Sequence, residues 1–220
     1  MLQYASQDFF KPMIVTGSLN GNNQLEVYAI LDALEVPQNI TVKGVVHIYK
    51  WESLDPLVAV EYPVTLDPLK AVLVTTIDAP TALNTAGCGS DYAVAKTKCF
   101  FHLHLMDQNN NHLVPFNYVF PEKLKNSNIA NPNLKVRHLT IDSVTAAGDD
   151  GKSFEIVVTT DVNALFVWLD SHDIIGRFSE NGFLQVLPSK TITFTANAPV
   201  SLELLSQTLT ITHLRDPAYL

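Results

Sequence analysis

The sequence lacks long apolar stretches and any excess of positive charge. No run of about 18 apolar residues occurs, so no segment is expected to span a membrane. Lysine and arginine together number 14 against 22 aspartates and glutamates, the net charge is −8, and no basic stripe is visible. Since nucleic-acid binders usually carry such a stripe, we predict neither a nucleic-acid partner nor a membrane partner.

Sequence signatures of common catalytic sites are missing as well. There is no Gly-x-Ser-x-Gly elbow, no glycine-rich phosphate loop and no His-Glu-x-x-His zinc motif. Neither cysteine has a base nearby in sequence that would activate a thiolate nucleophile. We therefore assign no catalytic residue and no cofactor.

Cysteines are scarce, and only Cys88 and Cys99 occur. They stand at the ends of a short polar loop that leads into a strand, which suits a local disulfide in an oxidising compartment. Two unrelated free thiols are the alternative. The single sequon, Asn39-Ile40-Thr41, predicts a glycan on Asn39 in a secreted chain. The first residues, 1–8, have no signal-peptide character, which alone favours the cytosol, so a secretory protein would have its beginning missing.

Apolar and polar residues alternate from Met13 onward. Residues 1–12 instead are typical of the end of a helix, terminated at Pro12, and fit the last turns of a preceding domain. The alternation in 25–31 and 42–50, with turn signals such as Asn20-Gly21 between strands, predicts about seven short strands. This spacing is typical of an immunoglobulin-like β-sandwich, which we place over residues 13–122.

The second half repeats the pattern after a polar, Asn-rich stretch, 123–133, which we interpret as a linker. Asp150-Gly151 predicts a hairpin, and 166–169 predicts a buried strand. No helical periodicity of useful length interrupts these strands, so a parallel α/β sheet is not predicted. The predicted fold is all-β, with a second immunoglobulin-like β-sandwich over 134–220.

His102 and His104 lie two apart on a predicted strand, so their side chains share one face. Two imidazoles on one face could begin a metal site, with His47 or His112 as a further ligand. The alternative is a pair of histidines on an exposed sheet face, which is the more common situation. We favour the exposed face and predict no metal.

The segment 166–183 is dense in aromatic residues and mixes aspartate, histidine and arginine. One interpretation is a sugar-contacting platform. The structural interpretation places Trp168 in the sandwich core, pairs Arg177 with Asp170 or Asp173, and turns the chain at Asn181-Gly182. We favour the structural interpretation and predict that Trp168 is buried against the opposing sheet.

This segment resembles the C-terminal domain of animal lysosomal β-mannosidases, in the sequence FVWLD followed by I-x-GRFSENGF. The family commonly has Asp where this chain has Glu180. Weaker similarities to the same family occur in family order at residues 1–4 and 9–12, at Asn117-Tyr118, and at 209–216.

The resemblance implies a role that spacing alone does not show. Full-length members remove terminal β-linked mannose with retention, and their two catalytic glutamates lie in a TIM barrel that precedes C-terminal sandwiches. A barrel needs about 250 residues of alternating strand and helix, and the family's Asn-Glu motif does not occur here. The resemblance therefore implies a non-catalytic part that is inactive alone, with the parent barrel as its partner, in a lysosomal or secreted protein.

Under this resemblance the residues 1–12 would be the end of a barrel helix. Trp168, Asp170, Arg177 and Asn181 would serve either at the barrel rim or as structural residues. The alternative is a stand-alone secreted β-sandwich protein derived from such a tail, with an oligosaccharide as its ligand.

Overall fold

The computed structural model describes residues 12–130 and 139–214. These residues divide into two compact units: an N-terminal unit of 12–51 and 55–130, and a C-terminal unit of 52–54 and 139–214. Strands dominate both units, which confirms the all-β prediction. The helix end predicted within residues 1–12 lies, apart from Pro12, outside the described residues.

The N-terminal unit contains two antiparallel sheets. One has the order β1-β2-β5 and the other the order β4-β3-β6-β7. Their strands are β1 (Met13–Leu19), β2 (Gln24–Leu31), β3 (Val42–Lys50), β4 (Val58–Val64), β5 (Lys70–Asp78), β6 (Cys99–Met106) and β7 (Asn117–Val119).

Alternating side chains of these strands form the core of the N-terminal unit. In β2 every second residue is buried, and these residues join one cluster with the apolar residues of β3 and β6. Burying such an aliphatic or aromatic side chain stabilises the fold by about 1.5–3 kcal/mol. The cluster includes Leu25, Val27, Ala29, Leu31, Val46, Ile48, Phe101, Leu103 and Leu105.

Strand β6 departs from this alternation because it is buried on both faces. Every residue from Cys99 to Leu105 is buried, whereas a strand with one solvated face would show every second side chain in solvent. Phe101 and Leu103 point into the core, so Phe100, His102 and His104 point to the opposite face. That opposite face carries the candidate site described below.

Two short helices connect β5 to β6, namely α1 (Ala79–Thr85) and α2 (Tyr92–Lys98). The sequence between the two cysteines was predicted to be a polar loop leading into a strand, and α2 corrects that prediction. The helix begins where the Asp91 carboxylate accepts a hydrogen bond from the Ala93 backbone amide at 2.9 Å. An aspartate at this N-cap position stabilises a helix start by about 1 kcal/mol.

The stretch predicted as a linker, 123–133, begins with two 3-10 helices, Leu124–Asn126 and Asn128–Ala130. Ile129 within it is fully buried, and Ser127 is buried with its hydroxyl donating to the Leu124 carbonyl oxygen at 2.8 Å. The chain after β7 therefore continues into ordered 3-10 turns. The domain limits drawn from the sequence stay a prediction.

The C-terminal unit also contains two antiparallel sheets, with the orders β11-β13-β9-β8 and β12-β10-β14. A helix, α3 (Leu202–Thr208), precedes the last strand. The strands are β8 (Thr140–Ala146), β9 (Ser153–Thr159), β10 (Ala164–Asp170), β11 (Gly176–Phe178), β12 (Phe183–Gln185), β13 (Ser189–Ala196) and β14 (Thr210–Thr212).

Aromatic and branched residues of β9 and β13 supply most of the C-terminal core, together with Leu169 and Phe178. Gly176 allows this packing, since a Cβ at that position would collide with the ring of Phe194 and the carbonyl oxygen of Thr195. The remaining buried members include Phe154, Ile156, Val158, Ile192, Ala196 and Leu205.

Candidate functional site

A group of histidines occupies the face of the β4-β3-β6-β7 sheet that points away from the core. His47 on β3 is directly opposite His102 on β6, and Val45 is opposite His104. Cross-strand neighbours in this register have Cβ atoms about 4.5–5.5 Å apart, so the imidazoles meet. We call His47, His102, His104 and His112 the histidine cluster.

The prediction that His102 and His104 lie on an exposed face is wrong. Only 1% of His102 and 5% of His104 is exposed. The ring of Phe116 covers them, with its centroid 5.0 Å from that of His102 and 5.1 Å from that of His104. Phe116 comes from the loop before β7, so nothing in the local sequence of β6 reveals this cover.

Contacts within the histidine cluster are close. Nδ1 of His102 lies 2.8 Å from Nε2 of His104, a hydrogen bond in which one imidazole donates and the other accepts. The rings of His47 and His104 have centroids 4.6 Å apart, and those of His104 and His112 are 5.2 Å apart. His47 is half-buried, whereas His112 is exposed.

Three of the cluster's imidazoles converge on one point. One ring nitrogen each from His47, His102 and His104 can be chosen so that all three lie within 4.8 Å of one another. Within residues 12–130 and 139–214, the buried Nδ1 atoms of His47 and His104 have no hydrogen-bond partner. Buried polar atoms without partners are rare in folded proteins, because each one costs the free energy of its lost hydration.

The surroundings favour the neutral forms of His47, His104 and His112. Burial, reinforced by His102, His47 and His112, lowers the pKa of His104 to about 2. Burial and the nearby His112 lower the pKa of His47, and burial lowers that of His112. A neutral imidazole keeps a lone pair on one ring nitrogen, which is the state that binds a metal ion.

In the aromatic segment 166–183, the prediction that Trp168 is buried in the core is wrong. Trp168 is half-buried, not a core residue, because Val167 and Leu169 take the buried positions on β10. The pairing of β10 with β12 shifts register between Ala164 and Val167, and Phe166 within this irregularity has a φ of 55°.

The Trp168 ring lies beside Gly182 in the turn after β11. A Cβ at Gly182 would lie 3.7 Å from Cε3 of Trp168, and the φ of Gly182 is +73°. A backbone in this left-handed region favours glycine. The Asn181-Gly182 turn predicted from the sequence therefore lies against the indole of Trp168.

Asn181 acts as a substitute for a neighbouring strand. Its Oδ1 accepts a hydrogen bond from the Leu169 amide at 2.7 Å, and its Nδ2 donates to the Leu169 carbonyl oxygen at 2.8 Å. The Asn181 side chain is buried, as is Leu169. Both backbone polar groups of Leu169 are thus satisfied by one side-chain amide.

The charged residues of the segment face solvent. Asp170 is exposed, and its Oδ1 accepts from the His172 backbone amide at 2.8 Å. Glu180 pairs with Lys190 at 2.6 Å. Arg177 is exposed on β11, and its pairing with Asp170 or Asp173 stays a prediction.

The disulfide predicted between Cys88 and Cys99 is confirmed. Both cysteines are buried, and the bond connects the turn after α1 to the first residue of β6. Asn39 is exposed with a φ of 61°, in the loop that leads to β3, and its glycosylation stays a prediction. Across residues 12–130 and 139–214, no helix has the length and apolar character needed to cross a membrane.

Two domain families match the chain. A mannosidase Ig/CBM-like domain covers residues 23–126, and an Ig-fold domain of the mannosidase type covers residues 127–217. The two immunoglobulin-like domains predicted from the sequence are therefore confirmed. The matched ranges meet inside the stretch 123–133.

Curated relatives align with the chain almost from end to end. The β-mannosidase of Capra hircus is 29% identical over 219 residues, and that of Bos taurus is 30% identical over 219 residues. In both cases the alignment covers 98% of this chain but 23% of the relative. The chain thus spans about a quarter of the length of these relatives.

Solved structures share the fold at lower sequence identity. The β-D-mannosidase of Dictyoglomus thermophilum matches with a TM-score of 0.64 and 18% identity, over 96% of this chain and 22% of that one. The exo-chitosanase of Amycolatopsis orientalis matches with a TM-score of 0.59 and 12% identity, over 96% of this chain and 26% of that one.

Proposed function

Because the chain belongs over both of its units to the immunoglobulin-like domain families of mannosidases, we propose that it is the non-catalytic β-sandwich part of a β-mannosidase-like glycoside hydrolase. The full-length enzyme would remove terminal β-D-mannose from oligosaccharides. The observation that carries this proposal is the coverage: 98% of this chain aligns with 23% of the caprine β-mannosidase. A catalytic barrel is the proposed partner.

Polar residues of the C-terminal unit support a scaffold role. The side-chain amide of Asn181 is engaged by its two hydrogen bonds with the Leu169 backbone, and the carboxylate of Glu180 forms an ion pair with Lys190. The retaining mechanism needs two carboxyl groups about 5–5.5 Å apart across a sugar site, and we assign no such pair among the described residues. We therefore propose that the isolated chain does not hydrolyse β-mannosides.

We place the protein in the lysosome or outside the cell. The buried disulfide Cys88–Cys99 supports this location, because disulfides persist in oxidising compartments and are rare in the cytosol. Asn39 supports it as well, since its sequon lies in an exposed loop that an oligosaccharyltransferase can reach.

Intact-mass analysis of the protein from its natural source tests the proposal. A species much larger than 24.3 kDa that contains these peptides is expected. A secreted species of that mass with its own signal peptide would contradict the proposal and favour the stand-alone protein. In a parallel assay the purified chain should show no turnover of a chromogenic β-mannoside, with a full-length β-mannosidase as the positive control.

The half-buried indole of Trp168 supports a second candidate function, namely a stand-alone protein that binds carbohydrate. Aromatic side chains with one open face stack on sugars, and Phe166, also on β10, is 38% exposed. Titration with manno-oligosaccharides, followed by tryptophan fluorescence, distinguishes the two functions. A saturable change in the wild type, together with loss of binding heat in Trp168→Ala measured by isothermal titration calorimetry, would put the binding protein first, whereas a flat titration supports the scaffold.

A further inference from the structure

The histidine cluster has chemistry that a scaffold role does not use. Buried positions of a β-sheet are ordinarily filled by apolar side chains, because a buried imidazole must find hydrogen-bond partners. Here His102 and His104 are at least nine-tenths buried, and the Nδ1 of His104 has no partner among the described residues. An orphaned nitrogen of this kind points to a missing ligand.

We propose that His47, His102 and His104 bind one transition-metal ion, with Zn²⁺ as the best match. The three imidazoles converge from two adjacent strands, so a shared ion would join β3 to β6 on the outer face of the sheet. This site is independent of the mannosidase chemistry proposed above.

The donor set selects the class of ion. Three nitrogen ligands without a carboxylate suit Zn²⁺, Cu²⁺ or Ni²⁺ and exclude Mg²⁺ and Ca²⁺, which require oxygen ligands. Zn²⁺ commonly takes three protein ligands and keeps its fourth position for water or another group. His112, whose ring lies 5.2 Å from that of His104, stands at the exposed side of the cluster.

The spacing of the histidine nitrogens has to adjust before it matches that of a bound ion. Zn–N distances of about 2.0–2.1 Å in a tetrahedron place ligand nitrogens about 3.3 Å apart. The nitrogens of the three histidines lie within 4.8 Å of one another, so ion binding requires the imidazole rings to turn toward this spacing. Rotation would replace the 2.8 Å contact between His102 and His104 by bonds to the shared ion.

Phe116 supplies the apolar cover that a buried metal site needs. Its ring contacts those of His102, His104 and His112, with centroid distances of 5.0, 5.1 and 4.9 Å. An apolar shell of this kind limits the access of water to a metal and its ligands.

The test uses the full 220-residue chain without a polyhistidine tag. After treatment with EDTA and desalting, Zn²⁺ is titrated in competition with a chromophoric chelator, and Co²⁺ is added separately while the visible spectrum is recorded. We expect one ion per chain, the intense visible bands of four-coordinate Co²⁺, and a rise in Tm with Zn²⁺ concentration.

Single variants His47→Gln and His104→Gln should each weaken Zn²⁺ binding at least tenfold, since removing even an outer-shell partner typically costs about 10–100-fold. His172→Gln is the matched control, because His172 is an exposed histidine of the C-terminal unit. Far-UV circular dichroism identifies any variant that has lost its fold, and His47→Gln, at a half-buried position, provides the milder replacement. Absence of saturable binding in the wild type, or equal loss in His172→Gln, would overturn the proposal.

Discussion

Removing the side-chain amide of Asn181 should destabilise the C-terminal unit more than the loss of a single polar side chain usually does. In Asn181→Ala the Leu169 amide loses its acceptor at 2.7 Å and the Leu169 carbonyl loses its donor at 2.8 Å. Leu169 is 1% exposed, so water does not readily replace the lost partners. Each orphaned buried group costs about 1–3 kcal/mol, so losing the partners of both groups should lower the free energy of unfolding by about 2–6 kcal/mol.

Urea unfolding followed by fluorescence measures this change. The chain has two tryptophans, Trp51 in the N-terminal unit and Trp168 in the C-terminal unit. In a Trp51→Phe background the tryptophan fluorescence comes from Trp168 alone, so it follows the unfolding of the C-terminal unit, which contains Asn181. The midpoint should fall while the slope of free energy against urea stays constant, which marks a loss of stability without a change in the exposed surface.

Asn197→Ala is the control in the same background. Asn197 is exposed and precedes α3, and its replacement should change stability by no more than about ±0.5 kcal/mol. If Asn181→Ala stays within that same range, the argument that its amide replaces a strand neighbour of Leu169 is refuted.

Three further predictions rest on other parts of the structure. Trp168→Ala should cost about 1–3 kcal/mol in urea unfolding, less than the 3–5 kcal/mol typical of a fully buried tryptophan, and a loss in that higher range would restore the core assignment. Replacing Cys88 and Cys99 together by serine should lower the free energy of unfolding by about 2–3 kcal/mol, because the unfolded chain is no longer restricted by the short disulfide-closed loop. Equal stability of the double-serine variant and the wild type would contradict this. Acidification should destabilise the chain in EDTA, because unfolded histidine binds a proton near pH 6.5 whereas folded His104, with a pKa of about 2, does not. The unfolded state thus binds more protons between these values, and stability is complete above pH 6.5 and declines below it, by about 2 kcal/mol between pH 7 and pH 5. His104→Gln should remove most of that decline, and an unchanged pH profile in the variant would show that other groups cause it.

The sequence determined the features that depend on local pattern. Alternation in Leu25–Leu31 predicted a strand with one buried face, since side chains of a strand point to opposite faces in turn. The short separation of Cys88 and Cys99 made their pairing a matter of local geometry, and the Asn181-Gly182 turn followed from the freedom of glycine at positive φ. Helices α1, α2 and α3 were missed, although Asp78, Asp91 and Ser201 stand at their N-caps.

Only the tertiary structure decided what covers each face. His102 and His104 alternate as residues of an exposed sheet face would, and their burial depends on Phe116, which arrives from a separate loop. Trp168 lies outside the core because Val167 and Leu169 take the buried face of β10, and which face is buried depends on how β10 packs on residues distant in sequence. Alternation in one strand specifies two faces but not what packs on them, because the covering side chains are distant in sequence.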